Sequence, residues 1–391
     1  MVRIGLFYFT LFFSFSVVIM YVPLYLQSQG LGKDQIGLIV AMGSIISVIG
    51  QPFWGFVSDK IKSTRTVLLF VMIFSLLTSS LFFSANTFIL IIFLYTFFMF
   101  FMTSSGPLTD SIAMQFATDH NKNYGVLRSC GTVGVGTSSF ILGIIIGIVG
   151  IQYIGWMYGI IMIVAIPLVF LLYDKRRGGK NQAPISISSV KIIVKNKKYL
   201  WMVFITFILL ITHKMNDSLF SIYLTEVGGR ESQVGLAWMI ATFSSVPAFV
   251  LTGMLIKRYH EIGLVAIAAF LFSIRWFLYG YFDDPQILIY LQGMQGITFP
   301  FLFVAAFTYV TKQLPKELLA TGQLMFMAST MGMGGLIGSA GGGWYMEHFS
   351  PQGAYLLCGI ITLFGCLLAS VTYVYLMRKD RREKSKIQME N

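Results

Sequence analysis

The chain has 391 residues, of which 56% are hydrophobic, 16% aromatic and 11% charged, with a formal net charge of +12. That balance and its positive mean hydropathy exclude an ordinary soluble domain and place most of the chain in lipid. The cationic excess suits loop topology and contact with anionic headgroups, so membrane lipids are expected partners and nucleic acid is not.

A bilayer core takes about 20 apolar residues per helix. Twelve such segments follow one another, at 4–28, 33–57, 66–84, 87–117, 124–149, 151–173, 200–225, 232–256, 261–282, 286–311, 316–345 and 352–377. The first has Arg3 ahead of it like a secretion signal, but its apolar run is too long and no small-residue cleavage site follows, so it is read as a span. Residues 174–199 break the rhythm: they are polar and basic and are punctuated by Gly178, Gly179 and Pro184, as in a linker, with a short surface helix predicted around Val190 to Val194. The predicted organisation is therefore an all-α membrane protein, with one six-helix bundle over 1–173, a cytoplasmic linker over 174–199, a second bundle over 200–377 and a basic tail over 378–391.

Of 28 Lys and Arg, all but five fall in one alternating set of connections and the tail. Only Lys33 and Arg230 fall on the opposite side, and Arg128, Lys214 and Arg275 lie within spans. Positive loops stay in the cytoplasm, so both termini are expected there, in the cell membrane. Cys130, Cys358 and Cys366 sit in apolar segments with neither metal spacing nor a disulfide framework.

Residues 25 to 60 recur without a gap 198 positions later. Tyr25, Leu26, Gly30, Gln35, Gly37, Leu38, Ser47, Val48 and Gly55 meet Tyr223, Leu224, Gly228, Gln233, Gly235, Leu236, Ser245, Val246 and Gly253. A duplicated membrane unit is the economical reading, and two similar bundles imply a pathway between them.

Between the second and third spans the chain reads Gly55-Phe-Val-Ser-Asp59-Lys60-Ile-Lys62-Ser-Thr-Arg65. This resembles the major facilitator superfamily, whose signature in that loop is a glycine, an aspartate four residues on and a basic cluster, and the resemblance covers essentially the whole chain. It implies two pseudo-symmetric six-helix bundles and a cytoplasmic gate at Gly55, Asp59, Lys60 and Arg65. Asp59 would latch to the start of the eleventh span at Leu314-Pro315-Lys316-Glu317. In the second copy Lys257 replaces the aspartate, so the latch is expected on one side only.

Charges inside a membrane cost about 2.5 to 3.5 kcal/mol each even on lenient scales, so those retained point to function. Asp110 lies nine residues before position 119 and Arg128 nine after, a symmetry that pairs them across a helical hairpin. In the seventh span, Lys214 and Asp217 share a face three residues apart beside His213. Three intramembrane cations against two carboxylates leave one surplus positive charge, which favours a substrate bearing a carboxylate without excluding a polyol or nucleoside. A merely structural ion pair remains the plain alternative for either cluster.

Further stretches are similar to the lactose permease and phenylpropionate permease branch: Gln51-Pro-Phe-Trp-Gly55, Tyr124-Gly125 before Arg128, Arg275-Trp276, Phe299-Pro-Phe301 and Gln352-Gly-Ala-Tyr355. The run Tyr21-Val-Pro-Leu-Tyr25-Leu26 fits the second of these best. By that resemblance Asp110 and Arg128 belong to a substrate site, and Arg275 helps proton coupling. Thr242, Gln295 and Thr298 stand where lactose permease has ionisable residues, so galactoside specificity and its usual protonation site are not expected. Tyr21, Tyr25, Trp276, Gln295, Thr298 and Phe299 are the expected cavity lining. Glycines crowd the fifth span (Gly131 to Gly150) and the eleventh (Gly332 to Gly343), where close backbone contact is the default explanation.

The motifs of hydrolases, zinc peptidases, P-loop enzymes and dinucleotide enzymes are absent, so no enzyme activity and no cofactor are expected. Without a nucleotide site, transport must draw on a gradient. The expected function is secondary, proton-coupled uptake of a small organic solute (an aromatic carboxylate, sugar or nucleoside) by a monomer with alternating access. Efflux of drugs or sugars by proton antiport is the alternative, and a non-transporting receptor on the same fold is an alternative of another class.

Overall fold

The computed structural model describes residues 1–172, 187–315 and 318–390. Twelve helices are long and apolar enough to cross a membrane: span 1 (Val2–Ser28), span 2 (Lys33–Ile61), span 3 (Thr64–Phe83), span 4 (Phe88–Asp119), span 5 (Tyr124–Val149), span 6 (Ile151–Leu171), span 7 (Lys197–Glu226), span 8 (Glu231–Leu255), span 9 (Glu261–Tyr281), span 10 (Pro285–Lys312), span 11 (Thr321–His348) and span 12 (Pro351–Arg378). A nine-residue helix, Ile187–Lys195, covers the stretch where sequence predicts a surface helix. The last helix continues through the basic tail to Glu390.

Polar residues set the helix starts. Ser63, Asn123, Asn196 and Asp284 each accept a bond from a backbone N–H of the first turn, satisfying donors that have no partner within the helix. Pro285 takes the first position of span 10, where its missing N–H costs nothing. Large apolar side chains such as Ile89, Ile148, Val371 and Phe93 remain exposed, as a lipid-facing surface requires. Trp156, Tyr281 and Tyr290 stand exposed near span ends, where aromatic rings favour the membrane interface.

The sequence repeat has a physical content at almost every matched pair. Tyr25 donates its hydroxyl to the Phe83 carbonyl at 2.9 Å, closing span 1 onto the end of span 3; Tyr223 does the same for spans 7 and 9 through the Tyr279 carbonyl at 2.8 Å. Gly30 and Gly228 adopt φ of 83° and 94° in the following turns, a conformation disfavoured for other residues. The Gln35 and Gln233 side chains accept from the backbone N–H of Gly32 and Arg230, capping spans 2 and 8.

The two halves meet through spans 2 and 11 and through spans 5 and 8. A Cβ on Gly37 would strike the Ser339 carbonyl and lie 3.1 Å from the Gly343 Cα. Its counterpart Gly235 would strike the Ser139 carbonyl, and a Cβ on Gly143 would lie 3.1 Å from the Gly235 Cα. Backbones this close require glycine. Polar side chains reinforce this end of the molecule: Lys33 pairs with Glu226 at 2.8 Å, and the Glu347 carboxylate accepts from the Lys33 backbone N–H at 2.8 Å. At the end carrying the termini, a Cβ at Gly55 or Gly253 would meet nothing within 4 Å. The halves are therefore joined closely at the Lys33 end.

Candidate functional site

Span 7 carries His213, Lys214 and Asp217 through the middle of the molecule. Lys214 lies 17 residues after Lys197 and 12 before Glu226, about 26 Å and 18 Å along the axis at 1.5 Å per residue. The Lys214 ammonium donates to the Asp217 carboxylate at 3.0 Å, and His213 Nε2 stands 3.6 Å from the same oxygen. His213 is buried, its ring stacked on Phe299 with centroids 4.6 Å apart, and its Nδ1 has no hydrogen-bond partner.

These residues border a hollow of two lobes between the halves. One lobe, about 230 Å³, is walled by Val18, Ile19, Pro23, Val40, Ser44, Ser47, Tyr95 and Met99 of the N-terminal half and by Lys214, Asp217, Ser218 and Met331 of the other. The second, about 240 Å³, lies among Ile19, Met20, Val135, His213, Lys214, Asp217, Trp238, Thr242, Ser245, Gln295 and Phe299. Ile19, Lys214 and Asp217 border both. Each lobe alone is smaller than the roughly 300 to 1,000 Å³ of drug-sized ligand sites. Two π-helical segments adjoin the hollow, Val17–Tyr21 in span 1 and Ala328–Met333 in span 11. Such widened turns recur at functional sites because they re-aim side chains within an otherwise regular helix.

The walls differ in character. The N-terminal half offers mainly aliphatic side chains and methionine, and the hydroxyls of Ser44 and Ser47 are spent on backbone carbonyls of their own helix. The C-terminal half supplies the charges and the amide of Gln295. Behind Gln295, Arg275 is wholly buried, stacked 4.5 Å from the Trp276 ring centre, and donates to the side-chain oxygens of Gln292 and Gln295, the latter at 3.0 Å. Its Nε and one terminal nitrogen have no hydrogen-bond partner among the described residues.

Asp110 and Arg128 do meet, at 3.3 Å, with Tyr8 donating to the same carboxylate oxygen at 2.6 Å and Phe12 beneath the guanidinium at 4.5 Å. The hairpin turn occupies residues 120–123, later than the symmetry about position 119 assumes, so Arg128 sits only one turn into span 5. The pair is about one third exposed and lines neither lobe.

Four of the expected lining residues are packed elsewhere. Tyr21 donates to the Ser139 carbonyl at the glycine crossing, Tyr25 to Phe83, Trp276 to Thr212, and Thr298 to the Met294 carbonyl. Each polar group is thereby satisfied within its own half, and none of the four borders either lobe. Gln295 and Phe299 do line it. Sequence reasoning missed Ser47, Ser245, Tyr95, Met99 and Trp238. The two serines are a matched pair of the repeat, which was the available signal; the others are aromatic or apolar residues indistinguishable in sequence from lipid-facing ones. Asp59 and Lys60 are exposed at the end of span 2, and Arg65 is half-buried in the first turn of span 3. The expected latch partners Lys316 and Glu317 lie outside the described residues, as does most of the linker.

Twelve spans in two repeated halves, closed at one end over a charged central hollow, define a secondary transporter rather than an enzyme. The model of the MFS_1 like family matches residues 1–357, and the chain belongs to that family of the major facilitator superfamily. It is 27% identical over 386 residues to the uncharacterized transporter YwbF of Bacillus subtilis (strain 168), covering 96% of this chain and 93% of that one. To the maltose permease of Geobacillus stearothermophilus it is 24% identical over 365 residues, covering 93% and 92%. The crystal structure of the nucleoside transporter NupG superposes with a TM-score of 0.86 at 14% identity, covering 95% of this chain and 98% of that one.

Proposed function

We propose that this transporter takes up a small organic solute together with a proton, binding both in the two-lobed hollow. The observation that carries the reading is the position of Lys214 and Asp217: an ion pair on the wall of a cavity built by both halves and bordering both of its lobes. Placing charge there is costly in a membrane, and a structural pair could be satisfied equally well inside one bundle. A proton arriving on Asp217 would free the Lys214 ammonium to engage the solute. Loss of both ligands would restore the pair and let the empty carrier return. The cation-rich loops support cytoplasmic termini in the cell membrane, and on that reading the sealed Lys33 end makes this an inward-facing state. Both walls of the hollow come from one chain, so a monomer suffices.

The test is uptake into proteoliposomes under an imposed pH gradient, with solutes drawn from sugars, nucleosides and aromatic acids. Wild-type protein should accumulate its solute against a concentration gradient. Asp217→Asn should lose that accumulation while still exchanging solute down its gradient. Accumulation that ignores the pH gradient, or that survives in Asp217→Asn, would remove the coupling role.

A further inference from the structure

The orientation of one amide restricts the chemistry of the solute. A guanidinium has donors only, so the Gln295 atom that faces Arg275 at 3.0 Å has to be its oxygen. Asn216 secures the same oxygen from a second direction, donating at 3.4 Å, while its own oxygen accepts from the Tyr355 hydroxyl at 3.1 Å. Arg275, Asn216 and Tyr355 are all wholly buried, so this chain of bonds has no competing water. Among the described residues the amide nitrogen of Gln295 is left with no protein partner, on a side chain that lines the hollow.

Lys214 likewise has donors to spare beyond the one given to Asp217. Among the described residues Arg275 has no carboxylate within ion-pairing distance, and Asp217 already has Lys214. The cluster therefore keeps a buried, uncompensated positive charge. To the lobe that Gln295 borders, the N-terminal half contributes the apolar side chains of Ile19, Met20 and Val135.

We infer that Arg275 acts as a positioning residue that presents the Gln295 N–H₂ to the hollow, and that Gln295 and Lys214 together select the acceptor-only head of a small organic carboxylate. The apolar body of that solute lies against the N-terminal half. This rests on the proposed reading of the hollow as the solute site. A head that offers these two groups no acceptor loses affinity, because the Gln295 and Lys214 N–H groups are then left unpaired.

Three probes with one body and different heads separate the possibilities: 3-phenylpropionate, 3-phenylpropanamide and 3-phenylpropanol. Calorimetric binding to the purified full chain should favour the acid over the other two by about tenfold or more, as one charge-assisted hydrogen bond requires. Gln295→Glu supplies Arg275 with a carboxylate and offers the ligand no N–H, so the preference should vanish. Arg275→Gln should flatten it too, although Arg275 does not line either lobe. The acid-to-amide ratio within one preparation is insensitive to any misfolded fraction, which a purely structural role of Arg275 would alter instead. A wild type that prefers the amide or alcohol, or binds none of the three, overturns the inference, as does an acid preference that survives Gln295→Glu. Proton-driven uptake of maltose or uridine by protein that ignores all three probes would overturn it while leaving the transport reading intact.

Discussion

Tyr25 and Tyr223 occupy matched positions in the two halves and make the same bond, a hydroxyl donated to a carbonyl at the end of the third span of each bundle. Their identity in the repeat therefore reflects bundle closure rather than ligand stacking. Tyr25→Phe should cost about 1 kcal/mol of stability, the net worth of one such bond, with uptake per folded molecule unchanged; paired denaturation and uptake measurements check this. Asp110 and Arg128 differ, because a third of each side chain is exposed. Arg128→Ala leaves the Asp110 carboxylate with the hydroxyls of Tyr8 and Tyr124, and water can reach it, so folding should survive while transport falls by about tenfold or more. Uptake normalised to purified yield decides the matter: a fall confined to yield would make the pair structural. Seventh-span charges were legible in sequence because an apolar run makes any ion conspicuous, whereas the cavity roles of Tyr95 and Trp238 were not, since period and composition do not say which face of a buried helix meets the other half.

Helix crossings near the Lys33 end act as a pair of matched seams. Gly37 on span 2 abuts Ser339 and Gly343 of span 11, and Gly235 on span 8 abuts Ser139 and Gly143 of span 5. Neither seam tolerates a side chain without separating the backbones. Gly37→Leu should hold the Lys33 end open, lengthening the distance between spin labels placed at Ser28 and Arg230 and abolishing net uptake. An unchanged distance would show that the seam yields locally by tilting one helix. The crowded glycines of spans 5 and 11 were legible as close contacts; which helices they contact was not.

Across the whole molecule, the distribution of cations predicts one sidedness. Single cysteines introduced at Arg3 and Ser63 should react with an impermeant reagent from the cytoplasmic face only, and cysteines at Lys33 and Arg230 from the opposite face only. Reaction of all four from one face would refute the two-faced arrangement. The pairing of Lys33 with Glu226 joins the halves at the end with few cations, so an opening there has to break that bond and both seams together. This concentrates the conformational change at one end and leaves the hollow's wall residues on rigid helices.

The amino-acid sequence by itself determined twelve spans, their duplication, the facing of their loops as an expectation of charge, and the presence of ions at lipid depth. These are consequences of hydrophobic length and of the cost of unsatisfied polar groups in hydrocarbon, both local properties of a segment. Only the tertiary structure decided that Arg275 stands behind Gln295, that Tyr21, Tyr25, Trp276 and Thr298 are engaged within their own halves, and that Ser47 and Ser245 border the two lobes. Those facts depend on helix rotation and on contacts between residues far apart in the chain, and a buried polar group takes whichever partner the packing brings within bonding distance.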